Sequence, residues 1–138
     1  MAGQRELHPS GLTRAQFECL SQCADSGNPM DSSALVIQVR NHLELTVVAA
    51  RNKPLVNVRL AAALAGVFEE VYLLWNGIPE AYAYWLKGAM LYFSSGNDDE
   101  PDFSSPIGFE DDTEVLNACL RYANLSHLCL KVENYDDV

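Results

Sequence analysis

The chain has 138 residues, a usual size for one domain and enough to bury about two-thirds of the surface its unfolded form exposes, so neither a metal nor a disulfide is needed for stability. Hydrophobic residues make up 49% and charged ones 20%, the balance of a packed globule rather than a disordered chain. Nineteen acids against nine Lys and Arg give a formal charge of −10, which repels phosphate backbones and anionic lipid and argues against nucleic acid as a partner.

The opening stretch, "MAGQRELHPSGLTRAQF", lacks the apolar core of a signal peptide, which predicts a cytoplasmic protein with reduced thiols. Residues 1–30 are expected to form a loose N-terminus and a short helix, about Thr13 to Cys23. A capping box of Thr13 and Gln16 opens it, with Phe17 and Leu20 facing inward. Cys19 and Cys23 share a face of that helix. Their spacing is not that of paired zinc ligands, and His127 beside Cys129 adds only a weak second half, so these thiols and Cys119 read as small buried hydrophobes. "DSGNPMDSS", Asp25 to Ser33, is a polar loop ending in N-cap candidates at Asp31 and Ser32.

Residues 35–50 admit two readings. Leu35, Val36, Val39, Leu43, Val47 and Ala50 recur at helical spacing, whereas Ile37, Val39, Leu43, Leu45 and Val47 alternate with Gln38, Glu44 and Thr46 as a strand pair would, with a hairpin at "RNH". The length of the segment favours helix. Pro54 suits the first turn of the next helix, which is expected to reach Trp75. That run is long enough to cross a membrane, but Arg59, Glu69 and Glu70 interrupt it, so no stable membrane insertion is expected.

Pro79 and Glu80 open a further helix on which Tyr82, Leu86, Ala89 and Phe93 share a face bordered by Trp85 and Met90; it should be central. The final helix is expected to start at Asp111 or Asp112. Asp111 and Glu114 have reciprocal capping spacing, and Val115, Leu116, Cys119, Leu120, Tyr122 and Ala123 form an apolar stripe. Residues 132–138 read as an acidic tail. The predicted fold is all-α: one compact bundle of four to five helices over residues 31–131, with an acidic loop before the last helix.

That loop, in "YFSSGNDDEPDFSSPIGFEDDTEVL" from Tyr92 to Leu116, lies in a stretch of eight carboxylates without a Lys, Arg or His. The stretch resembles the core signature of the YkvA-like family, a small helical domain of unknown function. In that signature a helix ends in an aromatic pair, followed by Ser-Pro-x-Asp-x-x-Pro-Asp, a few apolar residues, Gly-x-x-Asp-Asp and another helix. The match falls on Tyr92, Phe93, Ser95, Asp98, Pro101, Asp102, Phe103, Ile107, Gly108, Asp111 and Asp112. Gly96 and Ser105 stand where such domains carry Pro, and Asp99 and Glu100 where they carry apolar residues. The resemblance implies a helical fold and no established reaction.

Asp98, Asp102, Asp111 and Asp112 are the residues that turns and a helix cap would use. They are also the set that would converge on Mg²⁺ or Ca²⁺ if a divalent site were present, although the calcium-loop pattern is absent. Asp99, Glu100, Glu110 and Glu114 exceed what capping asks for, and surplus acids on one side steer a basic partner into contact. No nucleophile–base set, phosphate loop, His-Glu zinc helix or basic aromatic patch accompanies them.

The expectation is therefore a protein without enzymatic activity, cofactor or metal that binds a basic protein. The concrete form is an immunity or antitoxin-type inhibitor covering a toxin's basic site with Asp98, Asp99, Glu100, Asp102, Glu110, Asp111, Asp112 and Glu114. The alternative is a YkvA-like intracellular domain with a structural divalent metal or a membrane-docking role. A homodimer through an exposed aromatic helix, Tyr82 to Phe93, is a third arrangement.

Overall fold

The structure is a computed structural model and describes residues 8–52, 57–95 and 108–135. Among the described residues the regular elements are all helical: α1 (Arg14–Gly27), α2 (Ser32–Ala50), α3 (Val58–Leu73), α4 (Glu80–Ser95) and α5 (Gly108–Tyr122). Short 3₁₀ turns lie at Trp75–Gly77, Ser126–Leu128 and Val132–Tyr135. No helix among them is long and apolar enough to cross a membrane.

Three of the helices, α1, α3 and α5, start or stop where their local chemistry directs, whereas Asp31 before α2 makes no side-chain cap bond. Thr13 caps α1 with the reciprocal bonds of a capping box: Thr13 Oγ1 accepts from Gln16 N at 3.1 Å, and Gln16 Oε1 accepts from Thr13 N at 2.9 Å. α1 then runs one turn past Cys23, to Gly27. Asn57 caps α3 through its side-chain oxygen, 3.0 Å from Leu60 N. α3 stops at Leu73, and Trp75 belongs to a separate 3₁₀ turn. Pro54 lies outside the described residues. α5 ends in a Schellman arrangement: Asn124 takes a left-handed φ of 64°, Leu125 N donates to Leu120 O at 2.8 Å, and Asn124 N donates to Arg121 O at 3.2 Å.

α4 is the central helix, packing on α1, α2 and α5, while α3 lies against α2 and touches α5. The closest approach is between α1 and α4, where Gly88 faces Ala24. A Cβ added at Gly88 would stand 2.9 Å from Ala24 Cβ and 3.0 Å from its backbone N, so only glycine lets the helices meet at this distance. The core then fills with Leu20, Leu35, Val39, Leu64, Phe68, Leu86, Met90, Leu116 and Leu120. Phe93 is its hub: its ring lies 5.6 Å from Phe68, 5.8 Å from Phe109 and 5.0 Å from the buried imidazole of His42.

One expectation changes here. The aromatic helix is not an exposed surface: Trp85, Leu86, Ala89, Met90, Tyr92 and Phe93 are all buried within the monomer, so a dimer through that face would need the core to open. The C-terminal segment is also tied down in part. Asn117 pairs with the backbone of Leu130 through both ends of its amide, Nδ2 to O at 2.8 Å and Oδ1 from N at 2.9 Å, and the Val132–Tyr135 turn lies on α3. Among the described residues no disulfide links the four cysteines: Cys119 is buried, and Cys19, Cys23 and Cys129 are half-buried against the core.

Candidate functional site

The first turns of α5 hold the described part of the acidic segment. α5 begins at Gly108, one turn earlier than its sequence predicts, because Phe109 is wholly buried against Phe93 and His42 and must already be helical to reach them. Asp111 and Asp112 are therefore not caps. They sit inside the helix, and each turns away from solvent in its own manner.

Asp111 has both oxygens engaged. Gln16 Nε2 donates to Oδ1 at 2.5 Å, and the Tyr92 hydroxyl donates to Oδ2 at 2.5 Å. The same Gln16 nitrogen donates to Glu114 Oε1 at 2.8 Å. Gln16 thus uses its carbonyl oxygen to cap α1 and its amide hydrogens to hold two carboxylates of α5, so one side chain joins the N-terminal regions of two helices. The spacing of Asp111 and Glu114 serves this clamp and not a capping box. Asp112 is only 3% exposed, and its neighbour Thr113 returns its hydroxyl to Phe109 O.

The electrostatics follow from that geometry. Burial first, and then the hydrogen bond to Asp111, push the Tyr92 phenol far above its ordinary pKa, with the charges of Asp111 and Asp112 adding to the shift. Tyr92 is a neutral donor throughout the physiological range. Burial likewise pushes the Cys119 thiol up, so it is an inert packing group rather than a nucleophile.

Of the eight acids singled out from sequence, Asp111 and Glu114 come together on Gln16, Asp112 is buried beside them, and Glu110 is half-buried. Asp98, Asp99, Glu100 and Asp102 lie outside the described residues. Among the described residues no three His, Cys, Asp or Glu side chains gather as a metal site would require. Sequence reasoning missed Gln16 and Tyr92 as partners. Gln16 is legible as a cap, but its second allegiance is a contact ninety-five residues distant in the chain.

A second concavity, an open cleft of about 650 Å³, is lined by Asn28, Trp75, Ile78, Glu80, Tyr84 and Lys87. Two of its polar side chains are committed to the fold. Lys87 Nζ donates to Asn28 O at 3.1 Å and Met30 O at 2.7 Å, closing the α1–α2 turn, and the Tyr84 hydroxyl donates to Asp25.

Charge is divided unevenly along the chain. Residues 32–73, which contain α2 and α3, hold four cations (Arg40, Arg51, Lys53, Arg59) and three acids (Glu44, Glu69, Glu70), a net +1. The other residues carry −11. No family model, curated protein or solved structure matches this chain.

Proposed function

We propose that the protein is a non-catalytic, cytoplasmic binding module whose acidic segment engages a basic surface on another protein, in the manner of an immunity or antitoxin-type inhibitor. The observation that carries this reading is the division of charge: an excess of eleven negative charges outside α2 and α3, with eight carboxylates and no cation between Tyr92 and Leu116. Such a surface accelerates encounter with a cationic partner and rejects anionic ones.

The roles of the acids divide. Asp111 is tied into the fold through Gln16 and Tyr92, and Asp112 is buried and so out of a partner's reach. Asp98, Asp99, Glu100 and Asp102, with Glu110 and the second oxygen of Glu114, are the groups assigned to Lys and Arg of the partner. Inhibition then needs no chemistry: occupation of a basic groove excludes its substrate.

The test is affinity capture from the native source with two baits, the wild-type chain and a chain carrying Asp98→Asn, Asp99→Asn, Glu100→Gln and Asp102→Asn. A basic protein that elutes with salt from the first bait and is lost from the second supports the reading. A partner held equally by both baits, or one that is acidic, removes it.

A further inference from the structure

The described large hydrophobic side chains that stand out most into solvent all belong to one two-helix unit. Ile37, Leu45, Val47 and Val48 project from α2, and Leu73 and Leu74 from the end of α3; Leu73 is 77% exposed, Leu45 59%, Val48 53% and Ile37 52%. Scattered exposed apolar residues need no explanation; here Ile37 and Val48, three turns apart, share the outward line of α2, with Leu45 and Val47 on its two flanks, and such a line beside the exposed Leu73 marks a binding surface. This is also the part of the chain that does not share the strong negative charge.

Gly66 gives an independent sign. It lies in the middle of α3, where glycine weakens a helix, yet a Cβ placed there meets nothing within 4 Å, so packing inside the monomer does not ask for it. With Ala62 one turn before and Leu73 two turns after, it belongs to the outward side of α3. A glycine that the monomer does not need is accounted for by a second backbone approaching from outside.

We propose that the chain forms a symmetric dimer in which the α2–α3 face of one copy packs on the same face of another, helices antiparallel across the interface and Gly66 at the two-fold axis. An apolar patch needs an apolar complement, and among the described residues the exposed large hydrophobics of this molecule all belong to α2 and the end of α3. The charges agree. Seven residues separate the packed helices α2 and α3, which makes them antiparallel, and the Arg40–Glu69 ion pair, at 2.6 Å, sets their register, so Ile37 lies near the level of Leu73 and Val48 near that of Ala62, with Gly66 midway. One end of the face carries Arg51 and Arg59, the latter near Asn134 O, and the other carries Glu70 and the Arg40–Glu69 pair. Antiparallel pairing about an axis through Gly66 sets Arg59 toward the partner's Glu70 and Arg40 toward the partner's Glu44, while Ile37 meets the partner's Val48. A two-fold interface is self-complementary, and this face has the required arrangement of opposite charges about its centre.

Sedimentation equilibrium of the full chain tests it. The expected mass is twice the 15.3 kDa of the chain at high protein concentration, falling toward one chain on dilution. Ile37→Asp with Leu73→Asp, and separately Gly66→Glu, should each weaken the dimer at least about tenfold while leaving the helical circular dichroism of the dilute monomer unchanged, because these positions face solvent. Arg59→Glu should weaken it, and adding Glu70→Arg should restore it. A monomer at every concentration, a dimer indifferent to these substitutions, open-ended growth in mass, or a monomer that binds phosphatidylserine vesicles through Ile37 and Leu73 would each overturn the proposal.

Discussion

Gln16 has the heaviest individual task in the molecule. Its side chain closes the capping box of α1 and grips two carboxylates of α5, so Gln16→Ala removes three hydrogen bonds and leaves Asp111 with a single donor. A loss of about 1–3 kcal/mol in unfolding free energy is expected from denaturant titration, because two of those bonds end on carboxylates. Tyr92→Phe keeps the packed ring and deletes only the bond to Asp111, for a similar or smaller loss. The pH dependence has a definite sign. The Tyr92 phenol is held protonated more firmly in the folded chain than in the unfolded one, so its contribution is complete below pH about 10 and is lost as pH rises above that value. Between neutral pH and about pH 11 the wild-type midpoint should therefore fall further than that of Tyr92→Phe. An equal fall in both proteins would show that the phenol is not the titrating group.

At the scale of elements, the sequence is a good guide to where helices occur and a poor one to where α5 begins. Thr13 with Gln16 is legible because a capping box is a local pattern; the start of α5 at Gly108 is not, because it is set by Phe109 reaching Phe93 and His42 across the fold. The strand-like alternation in residues 35–50 has a physical origin as well. Ile37, Leu45 and Val47 are exposed apolar residues of α2, and they blur a helical pattern that Leu35, Val36 and Val39, with Leu43 and Ala50, carry toward the core. Two further predictions belong here. Gly88→Ala should destabilise by about 1–3 kcal/mol, since the new methyl meets the backbone of Ala24 and one of the two helices must move. Asn117→Ala should release residues 129–131 from α5, seen as faster amide exchange at Leu130, while exchange in α4 stays slow. Unchanged exchange at Leu130 would mean that the Val132–Tyr135 turn alone holds this segment.

The whole molecule has two unlike regions. Its α2–α3 unit carries the exposed large hydrophobics and is nearly neutral in charge, and the rest of the chain is strongly acidic. The carboxylate count is open to anyone reading the sequence, but the division of labour among those acids is not: only the fold distinguishes Asp111 and Asp112, turned inward, from the exposed Glu114. The acidic region is assigned to a basic partner, and that assignment depends on long-range attraction rather than on shape alone. Its most direct test is the association rate with the captured partner, measured by stopped flow from low to high ionic strength. The account predicts a fall of at least about tenfold for the wild-type chain and a nearly flat response once Asp98, Asp99, Glu100 and Asp102 are neutralised. A wild-type rate that salt does not change would contradict it.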